Sequence, residues 1–375
     1  MKWMINWLKI ENFKSIKKQS LKTKRINVFI GKPNVGKSNI LEAISLLGGY
    51  NSTMRNFANK EKFMGEFVRY ENYSNLFYDN DRSEKLIVNS NIGFCYSKYH
   101  LGAINSYELV FGPNLLLVEA FLNEQITSNF GKRHEEYKSI SENYKIDSLL
   151  NDESVSPYYY SVSDAGSVAD FDSYSNRFEG NIKRYEFKKG GTNSNRFPLF
   201  LKPTHGDNTS SMLEANPKIF DEIAEIFDQY GLQLLLDNQT NSLEVQKVVG
   251  KRVYKIPYSL CADTLQRYIF NLLAIKTNKE SIIILEEPEA HSFPKYIVNI
   301  ANEIIEDKSN QYFIATHSPY LLTDFIEKCE PEELGLFICD FKNYETTIRE
   351  LSREEIINIK ETGIDLFYNL PAFSE

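Results

Sequence analysis

The stretch Gly31–Ser38, GKPNVGKS, constrains this chain more than any other, because of what lies on either side of it. Before it stands an apolar run, RINVFI at Arg25–Ile30, and after it an apolar-periodic segment, Ser38–Leu47. The first predicts a buried strand and the second a helix, so the loop joins strand to helix. Gly, four variable residues, Gly, Lys and Ser form the pattern of a phosphate-binding loop. Glycines let backbone N–H groups curl around phosphate oxygens, and the helix N-terminus adds the positive end of its dipole. In such a loop Lys37 reaches the β- and γ-phosphates and Ser38 ligates Mg²⁺. The binding set read from the loop is Gly31, Lys32, Pro33, Asn34, Val35, Gly36, Lys37, Ser38 and Asn39, with ATP and Mg²⁺ as the expected ligands.

Alternation of strand and helix elsewhere extends this reading. Ile5–Ile10 predicts a first strand, Thr264–Ile275 a helix, Ser281–Leu285 (SIIIL) a strand and Pro294–Ile305 a helix. Tyr312–Ala315 and Gly335–Asp340 predict two further strands. Strands and helices at this spacing imply an α/β fold with a mostly parallel, doubly wound sheet. Between Phe67 and Phe111, runs such as LIVNSNIGFCY and SYELVF are punctuated by Asn, Asp and Gly and predict an antiparallel β region. Residues Asn114–Asn216 are rich in Tyr, Ser, Asn and charge and weak in periodicity, and read as an insertion. Its Tyr-rich part, Asn151–Phe178, reads as a partner or sensor surface, since tyrosine joins a large apolar ring to a polar tip. A helix follows at Asn216–Tyr230, with Pro217 near its start and Gly231 after its end. The expected organisation is an N-terminal lobe at 1–115, an insertion at 116–240 and a C-terminal lobe at 241–375, which a length of 375 residues accommodates.

Two further motifs complete a site. Ile282–Glu287, IIILEE, runs four apolar residues into adjacent carboxylates. Ligands of open α/β sheets bind at the carboxyl ends of strands, so these acids face the crevice of the phosphate loop. Glu286 is then expected to hold Mg²⁺, directly or through water, and Glu287 to polarise the attacking water. Ala315–Pro319, ATHSP, follows another apolar strand and sets His317 within reach of a γ-phosphate or its water. The expected catalytic set is Lys37, Glu287 and His317, and the metal set Ser38 and Glu286. In Tyr258–Arg267, YSLCADTLQR, Asp263 reads as the N-cap of a helix whose first amides either meet an anion or simply cap. His291, in PEAHSFP, reads as either an interface contact or a turn residue.

Composition narrows the partners. A net charge of −8 and a pI near 5.4 argue against a surface coated in basic residues for nucleic acid. Cys95, Cys261, Cys329 and Cys339 are widely spaced and fit neither a zinc ribbon nor a disulfide framework, so reduced thiols are expected. The N-terminal stretch does not read as a signal peptide, and no run approaches the roughly 20 apolar residues a spanning helix needs. A cytoplasmic protein away from membranes is the expectation.

In this order the motifs resemble the ABC-type ATPase heads of SMC, Rad50, RecF and OLD (overcoming lysogenization defect) proteins, over roughly residues 1–115 and 240–340. KIENFKSI is similar to that group's first strand and turn, GKPNVGKSNILEAI to its Walker A, and CADTLQR to its signature. LEEPEAH is similar to its Walker B and D-loop, and ATHSP to its switch histidine. ADTLQR and EEPEAHSFP resemble most the compact ATPases of prokaryotic anti-phage defence loci, such as the ATPase subunit of the PARIS system. The resemblance implies a homodimer or higher oligomer with ATP between subunits, closed across the interface by Cys261, Ala262, Asp263 and Thr264. It also implies a separate effector, a nuclease or toxin, because residues 341–375 are too few for the Toprim nuclease of OLD.

This chain departs from that pattern at three places. Asp263 stands where the signature has glycine, Glu286 stands where Walker B has aspartate, and Asn75 is the nearest counterpart to a Q-loop glutamine. Two other readings stay open. One is a RecF-like DNA-repair ATPase that contacts duplex through Lys14, Lys17, Lys18 and Lys183–Lys189. The other is a slow or non-hydrolysing ATP-bound scaffold.

Overall fold

The computed structural model describes residues 3–48, 64–65, 67–101, 105–112, 158–172, 181–189, 199–237, 240 and 242–373. Its first part contains β1 (Trp7–Phe13), β2 (Ile16–Lys22), β3 (Ile26–Ile30), α1 (Lys37–Gly48), β4 (Leu86–Ser90), β5 (Gly93–His100) and β6 (Ser106–Gly112). The middle contains β7 (Tyr158–Val162), β8 (Val168–Asp172), β9 (Ile182–Tyr185), α2 (Thr209–Ala215), α3 (Pro217–Asp228), β10 (Gln233–Asp237), β11 (Ser242–Val249) and β12 (Arg252–Pro257). The last part contains α4 (Asp263–Lys276), β13 (Ile282–Glu286), α5 (Pro294–Glu306), β14 (Gln311–Ala315), α6 (Pro319–Lys328), β15 (Leu334–Lys342), β16 (Glu345–Glu350), α7 (Arg353–Thr362) and α8 (Leu366–Phe373).

The central sheet has the order β16-β15-β3-β14-β13-β9, parallel from β15 to β9 with β16 antiparallel at one edge. A parallel sheet covered on both faces needs apolar side chains pointing both ways, which is why β3 and β14 are buried along their whole length. Side chains alternate between two cores. Ile26, Val28, Ile30, Ile283, Leu285, Tyr312 and Ile314 pack toward α4, α5 and α6, with Leu272, Ile300 and Phe325 opposite. Phe29, Ile282, Ile284, Phe313 and Ala315 pack toward α1 and the antiparallel sheet, among Ile40, Ile44, Ile10 and Val88. Truncating one of these strand residues, such as Ile283→Ala, costs about 2–5 kcal/mol by the usual core penalty.

The second sheet has the order β2-β1-β4-β5-β6-β7-β8 and is antiparallel throughout. It lies against α1 and so presses on the helix that leaves the phosphate loop. The stretch read as an insertion is woven into both sheets. Its β7 and β8 extend the antiparallel sheet, and its β9 is the edge strand of the parallel sheet beside β13. Of the Tyr-rich part only 158–172 is described, and there Tyr160 and Val162 are buried. A third sheet, β10-β11-β12, is antiparallel and runs through a short turn at Tyr258–Leu260 into α4. Among the described residues no helix is long and apolar enough to cross a membrane.

Candidate nucleotide site

The loop after β3 is held from beneath as tightly as it is shaped by its own glycines. Thr346 on β16 is fully buried and donates its hydroxyl to Val35 O at 2.9 Å, and its amide donates to Ser15 O at 2.7 Å. The Ser15 and Thr346 hydroxyls lie 2.6 Å apart, and Asn39 Nδ2 donates to Ser15 Oγ at 2.7 Å. Gly36 takes φ +94°, and a Cβ there would stand 2.1 Å from Thr346 Oγ1. A Cβ on Gly31 would stand 2.3 Å from the carbonyl oxygen of Cys339. Both glycines are therefore demanded by close approach as well as by backbone conformation.

Lys37, the first residue of α1, turns back over the loop. Its Nζ donates to Gly31 O at 3.1 Å and Lys32 O at 2.9 Å. Burial lowers its pKa, against the upward pull of Cys339, Glu287, Glu286 and Glu289. An ammonium held over carbonyls at the mouth of a phosphate loop is a cation ready to exchange neutral partners for an anion.

Glu286 ends β13, and Glu287 follows with φ +45° and its amide bonded to Ala315 O at 2.9 Å, so the strand bends between the two acids. Burial pushes the Glu286 carboxyl up, but the Ser38 hydroxyl and the Arg184 and Arg69 guanidiniums outweigh it and hold the group below its ordinary range. Arg184 Nη2 lies 2.8 Å from Glu286 Oε2 and Arg69 Nη2 lies 3.3 Å from Oε1. Behind them Glu42 of α1, fully buried, takes Arg69 Nε at 2.6 Å and an ion pair from Lys14. None of these three cations was read from the sequence as part of the site, because they come from the β1–β2 turn, the segment after α1 and β9.

Glu287 is otherwise placed. Its side chain is 51% exposed, and His317 Nε2 lies 3.8 Å from its Oε1. Burial lowers the His317 pKa, Lys37 lowers it further and Glu287 opposes both, so the imidazole is neutral at neutral pH. The histidine is aimed by Glu289, whose Oε1 accepts from Thr316 Oγ1 and from His317 N, each at 2.7 Å. Glu289 is partly buried, its other carboxylate oxygen is enclosed with no hydrogen-bond partner among the described residues, and burial raises its pKa.

Lys37, Ser38, Glu286, Glu287 and His317 thus surround one crevice at the carboxyl edge of the parallel sheet. The Ser38 hydroxyl stands near enough to Glu286 to help lower its pKa, and this hard oxygen pair suits Mg²⁺.

Residues Cys261–Thr264 belong to a different neighbourhood: Thr264 Oγ1 donates to His291 O at 2.8 Å and so ties the start of α4 to the turn beyond Glu289. Asp263 does not cap. Ala262 occupies the N-cap position, and Asp263, the first helical residue, bonds Arg267 Nε at 2.8 Å, because a carboxylate inside the first turn finds a cation one turn on. The Arg267 bond also holds the Asp263 carboxyl below its usual range. His291 is a turn residue with φ +56°.

Asn75 organises its own turn, accepting from Asn72 N at 2.8 Å and donating to Asn80 Oδ1 at 3.1 Å, and Arg69 is the residue that reaches Glu286 from this region. Of the cations considered for duplex contact, Lys14 is committed to Glu42, Lys183 is buried and donates to Asn278 Oδ1 at 2.5 Å, and Arg184 is committed to Glu286, while Lys17, Lys18, Lys188 and Lys189 are exposed.

The loop, the acid-terminated strand on the far side of β14 and the parallel sheet define a P-loop nucleoside triphosphatase fold, with an antiparallel β lobe packed on the first helix. Residues 4–249 match the AAA ATPase domain family, and the chain belongs to it. No curated protein matches the chain. Among solved structures it is similar to the Smc head bound to the C-winged helix domain of ScpA, at 16% identity over 95% of this chain and 99% of that one, with a TM-score of 0.47. The Pyrococcus furiosus Smc head with an extended coiled coil, bound to the C-terminal domain of ScpA, is 14% identical over 96% and 98%, at TM-score 0.49. The Thermotoga maritima SMC head domain is 12% identical over 93% and 99%, at TM-score 0.39.

Proposed function

We propose that the protein binds and hydrolyses ATP and that its nucleotide state switches a dimer read by a separate effector. The observation that carries the catalytic part is the gathering of Lys37, Ser38, Glu286, Glu287 and His317 on one crevice. Lys37 moves from the Gly31 and Lys32 carbonyls to the phosphates, and the loop amides hold their oxygens. Ser38 and Glu286 hold Mg²⁺, which when bound offsets phosphate charge. Glu287 is half exposed and accepts the proton of the attacking water, while neutral His317 donates a hydrogen bond at the γ-phosphate. Positioning and electrostatics of this kind supply most of the catalysis in phosphoryl transfer.

The start of α4, Cys261–Thr264, faces a second copy across the nucleotide in this reading. Its bond to the turn beyond Glu289 links that contact to the switch histidine. The chain works as lobes 1–115 and 241–375 around the middle stretch 116–240, in the cytoplasm. Its motif set favours a role in anti-phage defence with a nuclease or toxin as effector. The commitment of Lys14, Lys183 and Arg184 to internal partners weighs against the DNA-repair reading. Light scattering with ATP and Mg²⁺, alongside phosphate release, tests the switch. Glu287→Gln is expected to trap a larger ATP-dependent species without hydrolysis, and Lys37→Ala to abolish both; one constant size and no phosphate release in the unmodified protein overturns the switch.

A further inference from the structure

The departure at Glu286 has a structural counterpart on the neighbouring strand. Glutamate carries one methylene more than the aspartate that the resemblance expects, so its carboxylate has an additional torsion to fix. Arg184 is 2% exposed on β9, the edge strand paired in parallel with β13. Its Nη2 meets Glu286 Oε2 at 2.8 Å, while Nη1 donates to Phe67 O at 2.5 Å and lies 4.0 Å from Glu42 Oε1. One guanidinium therefore spans the end of β13, the segment after α1 and α1 itself. Arg69, the other cation on Glu286, has a side chain that is 60% exposed and offers a looser hold at 3.3 Å.

We propose that Arg184 is the positioning residue that lets a glutamate serve as the metal-side acid of this site. Its guanidinium fork holds Glu286 Oε2 at 2.8 Å and so fixes the carboxylate at the end of β13, on the side of the phosphate loop. A lysine at the same place offers no such fork and cannot serve both Phe67 O and Glu286 in fixed directions. Without Arg184 the other guanidinium on Glu286 among the described residues is the more exposed Arg69, whose looser contact fixes the longer side chain less firmly. This inference rests on the reading of Glu286 as the acid that holds Mg²⁺.

The test is titration of the full chain with a fluorescent ATP analogue, in EDTA and at rising Mg²⁺, with thermal melting of each variant. Arg184→Met is expected to leave affinity in EDTA within about 3-fold and to raise the Mg²⁺ midpoint about 10–100-fold, the usual cost of removing a group that orients a metal ligand. Arg184→Lys, which keeps the buried positive charge, is expected to show a smaller shift in the same direction and serves should Arg184→Met fail to fold. Glu286→Asp supplies the decisive comparison. If Arg184 acts by fixing the longer side chain, the shorter acid restores metal response in the Arg184→Met background, so the two substitutions are strongly non-additive. A purely structural arginine predicts additive losses and an unmoved Mg²⁺ midpoint, and either result overturns the inference. Glu286→Gln separates the layers: if it leaves the midpoint unchanged, the metal-side reading of Glu286 fails together with the inference. If it shifts the midpoint while Arg184→Met and Arg184→Lys do not, the inference alone fails.

Discussion

Glu286 and Glu287 are neighbours in sequence and opposites in surroundings. The first is mostly buried at the end of β13 and held by two guanidiniums, with its pKa pulled down. The second turns out of the strand at positive φ, is half exposed, and has His317 at 3.8 Å. A carboxylate that orients a metal must not move, whereas one that accepts a proton from water must reach the water and release the proton afterwards. One bend in the backbone, pinned by the Glu287 amide on Ala315, separates the two duties. The cations follow the same division: Lys14, Arg69 and Arg184 gather on the fixed side around Glu42, and Lys37 lies over the phosphate loop.

The largest expected effect removes what both acids share. Lys37→Ala should weaken nucleotide binding by more than about 100-fold, since a charge-assisted contact to phosphate is lost in a buried site; a titration within a few-fold of the unmodified protein would show that Lys37 stays on its loop carbonyls. Next, Glu287→Gln should lower phosphate release about 10²–10⁴-fold while leaving ATP binding intact, the range for a lost general base. Equal loss in binding and turnover would erase the distinction between the two acids. His317→Ala should cost less, about 10–100-fold in turnover, the scale of one lost hydrogen bond to a charged group.

The pH profile sharpens that third case. Because the folded-state pKa of His317 lies below its ordinary value, the imidazole is neutral at neutral pH and gains its proton only below about 6.5. Turnover should therefore be insensitive to this group at pH 7–8 and change as acid is added below that value, and the His317→Ala profile should lack the inflection. A group whose pKa is lowered on folding also loses stability for the protein as the pH falls, so melting should be followed in parallel.

Glu289→Gln carries the smallest expected change. Its carboxyl is raised by burial, so the folded form retains the proton more strongly than the unfolded chain, and stability falls as pH rises from the carboxylate range through the raised value. Removing the charge should raise the melting temperature by about 1–3 °C at pH 7 and flatten that dependence. A lower melting temperature would mean that the carboxylate's two bonds to Thr316 and His317 outweigh its burial.

Much of this arrangement was legible beforehand, and the legible parts share a cause. The phosphate loop, the strand running into two acids and the strand running into His317 are each local: an apolar run specifies a buried parallel strand, and whatever follows it must emerge at the carboxyl edge. Hence β3, β13, β14 and β15 were all anticipated, as were α1, α4 and α5. The stretch 116–240 was harder, because strands that complete a sheet against distant partners need little periodicity of their own. β7 finds its place beside β6 with β8 outside it, and β9 beside β13, 100 residues apart in sequence at Arg184 and Ile284.

The chain's own sequence thus determined the P-loop, the order of strands and helices around it, and which acids and which histidine meet at its mouth. It did so because 3.6- and 2-residue periodicities and a Gly-Lys-Ser turn are properties of contiguous residues. The tertiary structure alone decided which of the two acids is clamped and which is free, that Asp263 pairs with Arg267 instead of capping, and that Glu289 aims His317. It also turned Lys14 and Arg184, plain surface charges by composition, into a partly buried partner of Glu42 and a buried partner of Glu286. Charge pairing across strands and lobes depends on distances that no run of neighbouring residues encodes, and in a buried site those distances set the strength of every charge.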